Sequence, residues 1–376
     1  MKVLHVITSI NRGGAQNHLV DLIQGQIDAY GCQIACAYLK GDGYWSNGLK
    51  QLGASVIPLG LGRYGEIKPL LRLRTALRGF QPDLVHAHLG PAELYTRMAL
   101  IGNARLPLII SQHNEDRFYP GPGYTVLERW VVKRARCIIA ISHSVGKSCA
   151  AHWPDHLSQR LQVIHHGINP APYRAVPAEK VAALRRAWGA GSNTLLVGAV
   201  ARMVPEKAID SLIDGFAVFT SANSESNAKL VLVGDGPLEP QLKRQVEERG
   251  LGARVVWAGF REDIPVVMQA LDLFVLSSTS EGFGLVLLEA MSTGKPVIAS
   301  AVSAIPEIVI NEVTGILIPP RSPQALADAL SFLAANPEIG KRYGEAGRLR
   351  VEQSFQLGDM LHKTMECYQR VLCNQW

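Results

Sequence analysis

Two doubly wound α/β domains are the fold class this sequence predicts, and three observations carry the prediction. Short β-branched runs alternate with longer amphipathic segments, the pattern of parallel strands joined by crossover helices. The alternation runs in two series, each about six strands long, with a break between them. The chain has 376 residues, too many for one small core, and 47% of them are hydrophobic against 19% charged. That balance excludes disordered, collagen-like and coiled-coil chains.

In chain order, the first series places strands at 2–8, 33–39, 55–59, 83–87, 107–112, 137–141 and 161–165. The second places them at 194–200, 229–233, 254–258, 273–277, 296–300 and 316–318, with helices between, as at 14–29, 206–220, 238–249, 284–294 and 322–335. Between the series, 166–192 holds Gly167, Pro170, Pro172 and Pro177 and loses strand patterning, so the domains are read as 1–166 and 167–355. The final segment, Gln356 to Trp376, spaces Leu357, Met360, Leu361, Met365, Tyr368, Val371 and Leu372 as a helix does. It is expected to pack back on the first domain.

The formal charge of +6 is unevenly spread. Residues 1–165 hold 18 Lys and Arg against 10 Asp and Glu, so the first half carries the whole basic excess. No run approaches the roughly 20 apolar residues of a membrane span, and Met1 to Ile10 reads as a buried strand. A cytoplasmic protein is expected. The six cysteines lack metal-ligand spacing and are read as reduced packing residues.

In open parallel sheets, ligands bind beyond the carboxyl ends of the strands. The chemistry-bearing residues cluster there. Gly13 and Gly14 follow the first strand, where paired glycines admit close backbone approach and a helix start favours an anion. The alternative is a plain tight turn, and the missing Gly-x-Gly-x-x-Gly argues against an NAD-dependent enzyme. His113 follows the strand 107–112 and suits either a substrate hydroxyl or a structural role. Glu115, Asp116 and Arg117 beside it read as a solvated cluster.

Arg202 and Lys207 follow the strand 194–200, two cations placed to meet a diphosphate. After the strand 273–277 comes Ser280-Glu281-Gly282-Phe283-Gly284, and then a helix. Glu289 lies on that helix among Leu285, Val286, Leu287, Leu288, Ala290 and Met291. A carboxylate in such company needs donors, and sugar hydroxyls would supply them.

Glu281-x7-Glu289, Arg202 with Glu206-Lys207, Gly13-Gly14 and His113 together resemble the family 4 retaining glycosyltransferases of the GT-B fold. Gly234-Asp235-Gly236-Pro237 and Gly259-Phe260 also match landmarks of that family. The resemblance implies two Rossmann-like domains facing across a cleft. It implies that Arg202 and Lys207 bind the diphosphate of a nucleotide sugar, that Glu289 holds the ribose and that Glu281 bonds the transferred sugar. Gly234, Phe283 and the amides of Gly284, Leu285 and Val286 would line the donor site, with Arg261 near the base. Gly14 would approach the diphosphate, and His113 would contact the sugar.

No cofactor or metal is expected, in keeping with the missing Asp-x-Asp motif. Two departures from the family stand out. Gln16 replaces a common glutamate at a position expected to meet the acceptor, and Ala208 replaces a common glycine, a change expected to matter little.

The segments Lys68–Phe80 and Arg129–Arg136 read as basic helices that would meet an anionic membrane or a phosphorylated acceptor, or as ordinary solvated surfaces. The function expected is hexosyl or N-acetylhexosaminyl transfer, from a uridine or guanosine diphosphate sugar to a glycan or lipid-linked acceptor in surface polysaccharide synthesis. The alternative is a nucleotide-sugar epimerase of the same architecture. Nucleic acid is not expected as a partner.

Overall fold

A computed structural model of the chain describes residues 1–115 and 124–373. Asp116 and Arg117 lie outside the described residues. The chain divides into two compact units, one made of Met1–Gly167 with Leu357–Trp376 and the other of Ile168–Gln356.

The first unit is built on seven parallel strands: β1 (Lys2–Ile7), β2 (Gln33–Tyr38), β3 (Ser55–Pro58), β4 (Leu84–His88), β5 (Leu108–Gln112), β6 (Cys137–Ala140) and β7 (Leu161–Val163). Their order across the sheet is β3-β2-β1-β4-β5-β6-β7. Helices cover both faces of such a sheet, so its strands read as near-continuous apolar runs. Val3, Leu4, Val6 and Ile7 in β1 and Ile109 and Ile110 in β5 are fully buried. The helix Gly14–Asp28 buries Leu19, Leu22 and Ile23 against this core.

The terminal helix Leu357–Leu372 belongs to the same core and buries Met360, Leu361, Met365, Tyr368 and Val371. Gly25 makes that docking possible. A Cβ at Gly25 would stand 2.2 Å from Leu361 Cδ1, so any side chain there would push the terminal helix away. All six cysteines are free, and only Cys373 is exposed.

The second unit repeats the plan with six parallel strands: β8 (Leu195–Val200), β9 (Ala228–Val233), β10 (Val255–Gly259), β11 (Leu273–Leu276), β12 (Val297–Ser300) and β13 (Ile316–Ile318). Their order is β10-β9-β8-β11-β12-β13. Both sheets therefore reverse direction once, between β1 and β4 and between β8 and β11. Those reversals are the switch points at which doubly wound folds bind ligands.

The expected helix 206–220 is in fact two elements. A single 3₁₀ turn, Pro205–Lys207, is followed by Ala208 in the left-handed region at φ 45 and ψ 43, and only then by the helix Ile209–Ala222. Lys207 thus stands on a tight turn, outside the helix dipole. Among the described residues, no helix is long and apolar enough to cross a membrane.

Candidate functional site

The second unit brings its expected site residues together at the carboxyl ends of β8 and β11. The loop after β8 and the loop after β11 are tied to each other by Thr279 N–H donating to the Glu206 carbonyl (2.8 Å) and Ser277 Oγ donating to the Lys207 carbonyl (2.9 Å). Between them, Lys207 Nζ sits 2.5 Å from Glu281 Oε1, which also accepts from Ser278 Oγ at 2.7 Å. Both side chains are largely buried, with 19% and 10% of their surface exposed. A charged pair at this depth is held by hydrogen bonds as well as attraction.

On its other flank the β8 loop is laced to the β9 loop. Met203 N–H donates to the Asp235 carbonyl, and Leu238 N–H to the Met203 carbonyl. Gly234 makes this approach possible. Its φ is 125, and a Cβ there would fall 2.0 Å from the Ala201 carbonyl oxygen. Gly234 N–H donates in turn to Gly259 at the end of β10, which joins a third loop to the other two.

Arg202 is the most exposed member, 3.7 Å from Glu206. Arg261 grips Asp263 with two hydrogen bonds of 2.8 and 2.6 Å, which hold the Asp263 carboxyl below the usual carboxylate range. Gly284, at φ 96, starts the helix Leu285–Ser292, and no side chain caps that end. The first amides, Leu285 and Val286, therefore lead a helix terminus at the switch point. Glu289 lies half-buried farther along the same helix. Phe283 precedes that helix. Its ring is buried and meets Phe355 edge-on.

Ala208 carries more weight than its small change of size suggests. A non-glycine residue in the left-handed region is strained, and Ala208 is buried there beside Lys207. The family's usual glycine at this place has a conformational reason.

In the first unit, Gly13 and Gly14 open the helix Gly14–Asp28 after β1, again without a side-chain cap. A Cβ at Gly14 would meet nothing within 4 Å. Gln16 donates to Ser9 Oγ at 3.4 Å. His113 is 5% exposed at the end of β5, and burial pushes its pKa down to about 4. Its Nε2 lies 3.2 Å from His88 Nδ1, while its Nδ1 has no hydrogen-bond partner among the described residues.

His88 was not singled out from the sequence, nor were His5 and His86, which pack around it with ring centroids 4.0–5.4 Å apart. The signal was His86-Ala87-His88. Period two puts both imidazoles on one face of β4, and His5 pairs with His86 across β1.

The basic helix Lys68–Phe80 spends much of its charge internally. Arg72 donates to the Leu59 carbonyl and Arg74 to that of Met98. Arg129 and Arg134, in the second basic stretch, likewise donate to backbone carbonyls.

Known proteins match along almost the whole chain. The family described as "Glycosyltransferase Family 4" matches residues 12–172, and that described as "Glycosyl transferases group 1" matches residues 181–350. The chain belongs to the family 4, group 1 glycosyltransferases.

Among relatives of this glycosyltransferase is the N-acetyl-alpha-D-glucosaminyl L-malate synthase of Bacillus anthracis, 26% identical over 77% of this chain and 75% of the relative. The lipopolysaccharide core biosynthesis mannosyltransferase LpsB of Rhizobium meliloti is 30% identical over 62% of this chain and 65% of its own. Anabaena HepE, crystallised with UDP-glucose, superposes with a TM-score of 0.86 at 25% identity, over 98% of this chain and 99% of that one. The two parallel sheets are those of the GT-B fold. The epimerase alternative finds no support in these matches.

Proposed function

We propose that this glycosyltransferase moves a hexose or N-acetylhexosamine from a uridine diphosphate sugar to a glycan acceptor, with retention at the anomeric carbon and without a metal. The carrying observation is the convergence of Lys207, Glu281 and the Gly284 helix start at the switch point of the second sheet. Breaking the anomeric carbon–oxygen bond leaves negative charge on the departing diphosphate. Preorganised cations and amides lower the barrier by meeting that charge. Lys207, Arg202 and the Gly284, Leu285 and Val286 amides take this part, while Glu289 holds the ribose and Arg261 flanks the base. Glu281 bonds the sugar. On the first unit, Gly13, Gly14 and His113 take the part of donor contacts in this reading, and Gln16 that of an acceptor contact. The acceptor hydroxyl attacks on the face the diphosphate leaves, and its proton passes to the leaving phosphate oxygen.

HepE supports uridine as the base, since its crystals hold UDP-glucose. LpsB supports a membrane-borne acceptor in surface polysaccharide synthesis, since its name places it in lipopolysaccharide core biosynthesis. A cytoplasmic enzyme resting on the inner membrane face fits that reading. Ile67 and Leu71, 67% and 56% exposed, stand beside Lys68 on the first unit as an apolar and basic surface patch.

A thermal-shift screen of UDP, GDP, ADP and their glucose conjugates tests the donor. A ligand that binds the folded state raises the midpoint by mass action, and UDP and UDP-glucose are expected to stand out. Absence of a shift with every nucleotide removes the donor reading. Anomeric NMR of the product and turnover in EDTA test retention and metal independence.

A further inference from the structure

A line of buried hydrogen bonds runs from His113 through the first unit's core. His113 Nε2 lies 3.2 Å from His88 Nδ1, and His88 Nε2 lies 3.1 Å from His5 Nδ1. His5 Nε2 lies 2.8 Å from Gln26 Oε1. Gln26 Nε2 donates to the Tyr368 hydroxyl at 3.2 Å. That hydroxyl lies 2.6 Å from His86 Nδ1, and His86 Nε2 lies 2.7 Å from Ser111 Oγ. None of the seven side chains is more than 5% exposed.

With the Gln26 carbonyl oxygen turned to His5 and its amide nitrogen to Tyr368, the protons in this line have one arrangement, and the opposite amide orientation would reverse every bond. Burial keeps the rings neutral, with His5 and His113 near 4 and His86 and His88 well below their ordinary value. A neutral imidazole has one donor and one acceptor nitrogen. Gln26 supplies the direction, because its two ends differ. Its carbonyl oxygen can only accept, so His5 donates from Nε2 and must accept at Nδ1. His88 then donates from Nε2 and accepts at Nδ1, and His113 donates from Nε2. On the other side, the Gln26 amide donates to Tyr368, whose hydroxyl donates to His86 Nδ1, and His86 donates from Nε2 to Ser111. Every bond in the line is satisfied. His5, His86 and His88 bring ring nitrogens within 4.8 Å of one another, a spacing that could hold a cation, yet this arrangement keeps a proton between His5 and His88.

The consequence lies at the end of the line. We infer that Gln26, through His5 and His88, fixes His113 with its proton on Nε2 and its lone pair on Nδ1, making it a hydrogen-bond acceptor for a ligand hydroxyl. Gln26 and His5 are then positioning residues, and His113 selects a hydroxyl and rejects groups that can only accept. It takes no part as an acid. The proton arrangement stands apart from the transferase reading, and only the choice of a sugar hydroxyl as ligand rests on that reading.

Long-range proton–nitrogen correlation spectra of the full-length protein labelled with ¹⁵N-histidine test this, with His113→Asn, His88→Asn and His5→Asn assigning the rings. The wild-type spectrum should show the Nε2-protonated tautomer for all three. Protonation of His113 on Nδ1, or a charged ring at neutral pH, would overturn the inference. In Gln26→Met, His113 should become a tautomer mixture, and an unchanged signal would remove Gln26 from the role. By calorimetry, UDP should bind Gln26→Met as it binds wild type, while UDP-glucose binds about twofold more weakly, in proportion to the fraction of His113 held in the wrong tautomer. Equal weakening of both would mark a merely structural effect and also overturn the role. If neither UDP nor UDP-glucose binds wild type, the donor reading fails while the spectra still decide the tautomer.

Discussion

Lys207 Nζ and Glu281 Oε1, 74 positions apart in sequence, meet at 2.5 Å where the β8 and β11 loops converge. Two residues assigned to different parts of the donor are thus each other's counter-ion. The pair holds the lysine in place and tempers its charge.

The two partners should therefore respond in opposite directions. Lys207→Ala should weaken UDP binding by about tenfold or more, the usual loss when one partner of a close charge contact is removed. Glu281→Gln should bind UDP as well as wild type or a few fold more tightly, because the lysine is released to the phosphate. Its turnover of the sugar donor should nevertheless fall. Calorimetry with UDP alone, followed by turnover assays, separates the effects, and equal weakening of UDP by both variants would count against the assigned roles.

Ala208 gives a stability prediction of unusual sign. Ala208→Gly relieves a left-handed alanine whose strain costs about 1–2 kcal/mol, partly offset by the greater freedom of glycine when unfolded. The net gain should be about 0.5–1 kcal/mol, a rise of about 2 °C in the midpoint of the second unit. Differential scanning calorimetry reads it directly, and a lower midpoint would show that the strain is relaxed elsewhere.

The glycines divide into two kinds. Gly234→Ala puts a methyl group onto the Ala201 carbonyl and should cost about 2–4 kcal/mol, with loss of nucleotide binding as the Arg202 loop shifts. Gly14→Ala meets open space and should leave the midpoint unchanged. If the diphosphate approaches this backbone, the same substitution lowers donor turnover several-fold. Midpoint and turnover measured on both variants distinguish a packing glycine from a ligand glycine.

The first unit should be acid-labile. Folding keeps His5, His18, His86, His88, His113 and His166 neutral, chiefly by burial, and His18 falls to about 3. The unfolded chain therefore gains protons as pH falls through about 6.5, and stability declines from there toward pH 4, by about 1.4 kcal/mol per group per pH unit. Asp21 and Glu93 work the other way. Burial raises them to about 6 and about 8, so each loses stability as pH rises from its unfolded value to its folded one. Six imidazoles outweigh two carboxyls. The midpoint should peak near pH 6.5, fall steeply in acid and fall gently to pH 8, and Glu93→Gln should flatten the alkaline side.

The basic helix separates into structural and surface charge. Arg72→Ala should lower stability through its lost carbonyl bond, without changing vesicle binding. Lys68→Glu combined with Ile67→Ser and Leu71→Ser should abolish sedimentation with anionic vesicles at low salt. Retention of binding in that triple variant would place any membrane contact elsewhere.

The strand runs were legible because parallel strands buried on both faces write themselves as apolar blocks, as Val3 to Ile7 and Leu230 to Val233 do. The break at Ala208 was not, since nothing in Glu206-Lys207-Ala208-Ile209 signals a left-handed residue. The loops carrying Lys207 and Glu281 could be named individually, but their pairing depends on which strands lie beside the switch point, which is a property of sheet order. The imidazole line was hidden for the opposite reason. His5, His86 and His88 sit inside apolar strands, where hydrophobic patterning masks them, and Gln26 and Tyr368 come from helices with no sequence link to either strand.

The helix Leu357–Leu372 also bears on how the protein is made. Gln26 meets Tyr368 across 342 positions, so the first sheet lacks its last partner until the ribosome has passed residue 368. The second unit is contiguous and can close as soon as it emerges. At about 5–20 residues per second, the interval between completing Gly167 and reaching Tyr368 is roughly 10–40 seconds. Throughout that time the nascent first half presents an uncovered apolar face and an unfinished polar core, so its folding waits on the last stretch of chain to be made.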